Sequence, residues 1–257
     1  MKIEFQEVTF DEIRPALIEN IRGYTSPVDS YYEDHVMESI HYRIQYNQQA
    51  AGFASIFSES MLTQFSLNDA YKPHAAEVFQ VLLQQLSPHE AYVSTSDPFF
   101  LSCALDHQKS VLVQDWVFQA PLHLAPAVTG FSLTKASPDD HELIQQNDEG
   151  FFQNLSDHLQ GGEIFVGKMD GQVVSFGIIE KSKLFEGQAS LGMFVIREQR
   201  GRHYGSYTIR ELMRLCRSQQ IVPNAGCFAR NEFSRNALSH AGMISNTRLL
   251  KVKFTDS

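Results

Sequence analysis

Residues 197–212, REQRGRHYGSYTIREL, gather Arg197, Arg200, Arg202, Gly201, Gly205 and Ser206 into one turn that runs straight into a helical pattern. Such a turn is suited to a small anion carrying several negative charges. Each guanidinium presents a planar fork of donors that matches phosphate oxygens, and the two glycines permit positive φ and close approach of a ligand to the backbone. The start of the following helix adds unpaired amide groups and a partial positive charge, and Ser206 stands where it can cap the first helical turn. The apolar run MFVI just before the turn reads as a strand end, so the arginines and amides sit on a strand–turn–helix unit.

Competing chemistries fail on spacing. The only Gly-Lys pair, Gly167-Lys168, is followed by Met169, which breaks the GxxxxGK[ST] phosphate loop, and GxGxxG and GxSxG do not occur. The His-Glu pairs at His89 and His141 lack the second histidine of a zinc protease. Three cysteines (Cys103, Cys216, Cys227) without CxxC spacing support neither a disulfide framework nor a zinc site, so they read as reduced packing residues and no metal is expected.

The 257 residues, 43% hydrophobic and 20% charged, suffice for one large domain or two smaller ones. The net charge of −9 is unevenly spread. Residues 1–128 hold 6 basic against 16 acidic residues, residues 129–257 hold 15 against 14, and the segment from Arg197 to Arg217 alone has six arginines and two acids. An acidic chain lacks the broad basic surface a nucleic-acid binder needs, whereas a compact arginine cluster fits a small polyanion. The start MKIEFQEVTFDEI carries acids where a signal peptide is apolar, and no stretch approaches the roughly 18 to 20 apolar residues of a membrane span. The expectation is a cytoplasmic protein without membrane or nucleic-acid partners.

The segment QAPLHLAPAVTG, with two prolines and a glycine, reads as a linker. It divides the chain into 1–120, a linker at 121–130, and 131–257. Both halves run through the same order: strand, helices, strand pair, strand, helix, strand, helix, strand. IHYRIQY and AAGFASIF in the first half correspond to EIFVGKM and QVVSFGII in the second, the latter pair joined by Asp170-Gly171, a hairpin signal. AAEVFQVLLQQL and YTIRELMRLCRSQQ carry apolar residues at helical spacing, with Ile209, Leu212, Met213 and Cys216 on one face of the second. FLSCALDHQ and FSRNALSHA share Phe100/Phe233, Ala104/Ala237, Leu105/Leu238 and His107/His240 at constant offset. The pattern is that of an internal duplication.

At these residues the chain resembles the GCN5-related N-acetyltransferase (GNAT) superfamily over 131–257. VIREQRGRHYGSYTIREL is similar to its acyl-CoA loop, [QR]xxGx[GA] between a strand and a helix, with Arg200 and Gly205 at the ends and His203 where a glycine is usual. CFARNEFSRNALSHAGM is similar to its second block through Asn231, Ser234, Leu238, Gly242 and Met243. The resemblance implies an α+β fold of two tandem GNAT-like domains, each a mixed, mostly antiparallel twisted sheet flanked by helices. It also implies acetyl-CoA as cosubstrate and transfer of acetyl to a primary amine of a small molecule or protein; the alternative is a non-catalytic acyl-CoA-binding or sensing module.

By the same resemblance, backbone groups of Phe194 and Val195 pair with the pantetheine arm. The amides from Arg202 through His203, Tyr204, Gly205 and Ser206, with Gly201, cradle the diphosphate beside Arg197 and Arg200. Asn231 and Ser234 stand at the pantetheine. His203 is expected to point outward. Glu180, at the end of QVVSFGIIE, and Glu186, in the next turn, are the candidate bases. Leu238 occupies the position where many relatives carry an acidic tyrosine. The loop NDAYKPHAAEVF of the first half has no glycine, so that half is expected to be a degenerate copy that binds no CoA, and its acidity suits either plain solubility or attraction of a cationic amine. Nothing in the residues fixes an oligomeric state.

Overall fold

The computed structural model of the protein describes residues 2–254. The chain forms two compact units: one runs up to Trp116 and takes in the C-terminal segment from Thr247, and the other spans Val117–Asn246.

In the first unit the order is β1 (Ile3–Val8), α1 (Phe10–Arg22), α2 (Ser30–Met37), β2 (Ile40–Tyr46), β3 (Gln49–Phe57), β4 (Met61–Leu67), α3 (Ala75–Leu86), β5 (Glu90–Ser94), α4 (Pro98–Asp106) and β6 (Gln108–Gln119). The order then repeats as β7 (Phe131–Lys135), α5 (His141–Asn147), α6 (Leu155–Gly161), β8 (Ile164–Met169), β9 (Gln172–Lys181), β10 (Gln188–Val195), α7 (Tyr204–Ser218), β11 (Val222–Phe228), α8 (Glu232–His240) and β12 (Ile244–Phe254). The duplication legible in the sequence is therefore a duplication of elements. Among the described residues no helix is long and apolar enough to cross a membrane.

Turn chemistry explains both central hairpins. Asn47 and Gln48 (φ +49° and +67°) join β2 to β3, and Asp170 and Gly171 (φ +48° and +85°) join β8 to β9. Two consecutive left-handed residues make the turn whose twist matches that of the strands it connects. In each unit three antiparallel pairings lead to one parallel pairing: β1–β2–β3–β4 then β5, and β7–β8–β9–β10 then β11.

The second unit's core forms where α5 and α6 place Ile144, Leu155 and Leu159 against Ile164, Val166, Phe176 and Ile178 of β8 and β9. On the other face α7 buries Ile209, Leu212, Met213 and Cys216, the face its spacing predicts. Gly177 admits that helix: a Cβ there would lie 2.9 Å from side-chain atoms of both Leu212 and Thr208. Ser175 and Thr208 hydroxyls, 2.7 Å apart, tie β9 to α7, and the Thr208 hydroxyl in turn donates to the Tyr204 carbonyl at 2.8 Å.

The units differ from the sequence division in two respects: the boundary lies at Trp116/Val117, ahead of the expected linker at 121–130, and the C-terminal segment joins the first unit. β12 falls largely within the first unit, running antiparallel to β5 from Leu249↔Ser94 to Lys253↔Glu90. The physical reason is that β5 exposes a row of backbone donors and acceptors on the side away from β4, and β12 satisfies them. All three cysteines are free and buried.

Candidate functional site

β10 is hydrogen-bonded to β9 along its length, from Ala189↔Lys181 to Val195↔Ser175. On its other side it pairs with β11 only from Gln188↔Val222 to Ser190↔Asn224. Beyond Ser190 the two parallel strands part, so the edge of β10 that runs through Phe194 and Val195 faces a gap. A cavity of about 630 Å³ opens there. Phe151, Met193, Phe194 and Val195 form one wall, the turn from Arg200 to Ser206 forms a second, and α8 contributes the third.

The turn leaves a row of backbone donors open. Ile196 leads into a single 3-10 turn at Arg197–Gln199, Gly201 takes φ +78°, and His203 takes φ +64° as the residue preceding α7. No side chain caps α7, whose first intrahelical bond runs from the Tyr207 N–H to the His203 carbonyl. The amides of Tyr204, Gly205 and Ser206 therefore belong to the open first turn, where a helix end favours negative charge.

Three expectations are corrected here. Gly205 lies inside α7, which begins three residues earlier than its apolar pattern indicates. Its missing side chain serves packing instead of positive φ, since a Cβ would be 3.1 Å from Met193 Sδ and 3.4 Å from Ala237 Cβ. Ser206 does not cap by accepting from an amide; its hydroxyl donates to the His203 carbonyl at 2.8 Å. His203 is exposed, but its ring is not directed away from the site: it borders the cavity and meets His240 of α8 edge-on, with centroids 5.4 Å apart.

The arginines are not equivalent. Arg197 Nε donates to Glu149 at 2.7 Å, and Arg200 Nη2 donates to the other oxygen of the same carboxylate at 3.0 Å. Hydrogen bonds from Arg197 and then Arg200 hold the Glu149 carboxyl below its usual pKa. Arg200 also stacks over Phe194 at 5.1 Å and donates from Nε to the Val195 carbonyl at 3.2 Å. Arg202, exposed, reaches Gln199 at 3.4 Å. Of the three, only Arg200 lines the cavity.

Asn231 and Ser234 both line the cavity. Asn231 also starts α8, its Oδ1 accepting the Ser234 N–H at 3.0 Å, so the capping role its residue type suggests and its place beside the cavity are held by one side chain. Glu180, half-buried, stands opposite Ser190 in register, and Glu186 is exposed in the turn between β9 and β10. Neither is among the residues that line the cavity.

Several lining residues escaped the sequence reading. Phe233, Asn236, Ala237 and His240 share one face of α8 at i, i+3, i+4, i+7, a spacing visible in the sequence, where Phe233, Ala237 and His240 mark the duplication. Glu149 and Phe151 give no sequence signal, because they lie more than 40 residues from the turn and the strand β10 that they respectively meet.

The corresponding strands of the first unit are packed with aromatic rings. β4 and β5 pair only at Met61↔Glu90 and Leu62↔Ala91, yet Phe65, three residues beyond, is fully buried with Phe79 and Phe100 at ring distances of 4.9 and 6.3 Å. In the second unit the residue three beyond the last pair is Met193, and the counterpart of Phe100 is Phe233, which is 90% exposed.

Replacing His203 by glycine is expected to leave acetyl-CoA affinity unchanged and to stabilise the free and the bound protein alike, because a β-carbon in left-handed backbone costs about 1 kcal/mol that glycine does not. A calorimetric titration of the variant checks this, and a loss of tenfold or more would show that the imidazole itself holds the ligand.

Two family models match the chain, one described as an acetyltransferase (GNAT) domain over residues 9–121 and one as the acetyltransferase (GNAT) family over residues 130–243. Among solved structures, the chain is similar to an acetyltransferase from the GNAT family from Colwellia psychrerythraea, with a TM-score of 0.86 and 19% identity over 99% of this chain and 100% of that one. A GCN5-related N-acetyltransferase from Sphaerobacter thermophilus aligns with a TM-score of 0.64 and 13% identity, covering 98% and 95%. A tandem GNAT protein from the clavulanic acid biosynthesis pathway aligns over the whole of both chains, with a TM-score of 0.60 and 12% identity. No curated protein matches the sequence. With both halves matched, the same order of elements in each, and a parallel strand pair that parts in each, the chain belongs to the GNAT acetyltransferases, in their tandem form.

Proposed function

We propose that the protein is an N-acetyltransferase whose second unit binds acetyl-CoA and transfers its acetyl group to a primary amine. The observation that carries this reading is the cavity of about 630 Å³ between the unpaired edge of β10 and the uncapped start of α7. The donor set fits the ligand: amides at a helix N-terminus and Arg200 suit a diphosphate, a free strand edge suits the amides of pantetheine, and the Asn231 side chain adds one polar contact. Bound there, acetyl-CoA supplies a thioester carbonyl open to attack by an amine nitrogen.

The chain's own residues then have separable tasks. Tyr204, Gly205 and Ser206 orient the diphosphate through their backbone, and the β10 backbone from Gly192 to Val195 holds the arm and offers an amide to the developing oxyanion. Glu180 or Glu186 takes the amine proton, directly or through water. The acid excess of the N-terminal half favours a cationic small-molecule amine, whose capture would weaken with salt. The cytoplasm, where acetyl-CoA is available, is the proposed location.

A sensor that binds acyl-CoA without turnover is the second reading. It is favoured by the position of both glutamates outside the cavity wall and by Leu238, 2% exposed, which leaves no hydroxyl acid at that position. Thermal unfolding with and without acetyl-CoA tests both readings, since ligand at 100 times its Kd adds about 2.7 kcal/mol of stability. No shift rejects them together. Release of free CoA thiol across a panel of primary amines separates them, turnover with any amine deciding for the enzyme.

A further inference from the structure

A tight bend after α5 carries an aromatic ring to the far end of the cavity. Asp148, only 3% exposed, accepts the N–H groups of Gly150 (3.0 Å) and Phe152 (3.2 Å) on its carboxylate, while its own carbonyl accepts the Phe151 N–H at 2.9 Å. Glu149 and Gly150, with φ +52° and +76°, turn the chain between these bonds. Glu149 is in turn fastened to Arg197 and Arg200. The bend is thus held from within by a buried carboxylate and from outside by two arginines.

Phe151 is 45% exposed, yet it is not an idle surface ring. It packs edge-on to Phe152 at 4.9 Å and lies 5.6 Å from Phe194 of β10. It also covers the bare backbone at Gly192, where a Cβ would stand 3.5 Å from Phe151 Cζ and 2.8 Å from Ile178 Cγ2. Gly192 is two residues past Ser190, the last β10 residue bonded to β11.

The cavity therefore has a direction. Its anion seat lies at the start of α7, with Met193 packed beside Gly205, and toward Gly192, nearer the closed end of the strand gap, its wall is Phe151. A thioester whose diphosphate occupies the seat directs its acyl group along β10 toward that apolar wall. Resting on the acyl-CoA reading above, we propose that Phe151 sets the size of the acyl group, admitting acetyl and rejecting longer chains.

Titration of the full chain with acetyl-CoA, hexanoyl-CoA and free CoA tests this. The wild type is expected to bind acetyl-CoA at least about tenfold more tightly than hexanoyl-CoA, the scale on which a walled apolar pocket discriminates by size. Phe151→Ala is expected to erase that preference while leaving the affinity for free CoA unchanged. Phe151→Leu, a milder truncation that guards against misfolding, should fall between. Equal binding of the two thioesters by the wild type, or a preference that survives in both variants, overturns the proposal while the acyl-CoA reading stands. Parallel loss of free CoA and both thioesters in Phe151→Ala also overturns it, by assigning the ring to the pantetheine arm. Failure of the wild type to bind any of the three overturns the acyl-CoA reading, and the size gate with it.

Discussion

Ala237→Trp is expected to abolish acetyl-CoA binding in a protein that still folds. Ala237 sits in the middle of the cavity-lining face of α8, half-buried, across from the place where a Gly205 Cβ would come within 3.4 Å of it. An indole at this position outgrows the space beside Gly205 and Met193 and extends into the cavity of about 630 Å³, between the turn and β10, so a native circular dichroism spectrum and cooperative unfolding are checked first. The indole would occupy the volume through which the arm must pass to reach the strand edge. The loss should exceed about a hundredfold in Kd, or roughly 2.7 kcal/mol, and the ligand-induced thermal shift should vanish. Ser239→Trp, on an exposed position of the same helix outside the cavity wall, is the control and should bind normally. Normal acetyl-CoA affinity in Ala237→Trp would place the ligand elsewhere.

The second large effect concerns pH and lies in the first unit. Asp115 of β6 is 6% exposed, its Oδ2 has no hydrogen-bond partner among the described residues, and burial, reinforced by the nearby charge of Asp29, pushes its pKa up to about 7. Below about pH 4 the carboxyl is neutral in folded and unfolded chains alike. As pH rises toward 7 the unfolded chain ionises while the folded one keeps its proton, so stability falls across this window and levels off above it. Asp115→Asn removes the titration. The variant should be more stable than the wild type at pH 8, by on the order of 3 kcal/mol, and the difference should close by about pH 4. Urea unfolding at the two pH values measures it. A difference that is the same at both would mean that Asp115 is ionised in the folded state without penalty.

Much of the second half was legible because the signals are local. Asp170-Gly171 must turn left-handed, the spacing of Ile209, Leu212, Met213 and Cys216 must bury one helix face, and a glycine-bearing arginine turn after an apolar strand has few other uses. The reading faltered where a residue's role depends on what packs against it. Gly205 was read as a flexible turn residue because glycine permits positive φ, whereas the contact with Met193 and Ala237 makes it a helical residue of minimum size. Arg197 looked like a phosphate ligand by composition, and in the fold it is an arm fastened to Glu149.

The sequence by itself determined the duplicated order of strands and helices, the glycine-bearing arginine turn and its absence from the first half, since turn chemistry and side-chain periodicity act within a few residues. Only the tertiary structure decided that β12 pairs with β5, that Phe65, Phe79 and Phe100 pack together in the first unit, and that Phe151 lines the cavity. Those outcomes depend on which backbone edges find partners and which rings meet across 40 or more residues, and such contacts leave no periodic trace along the chain.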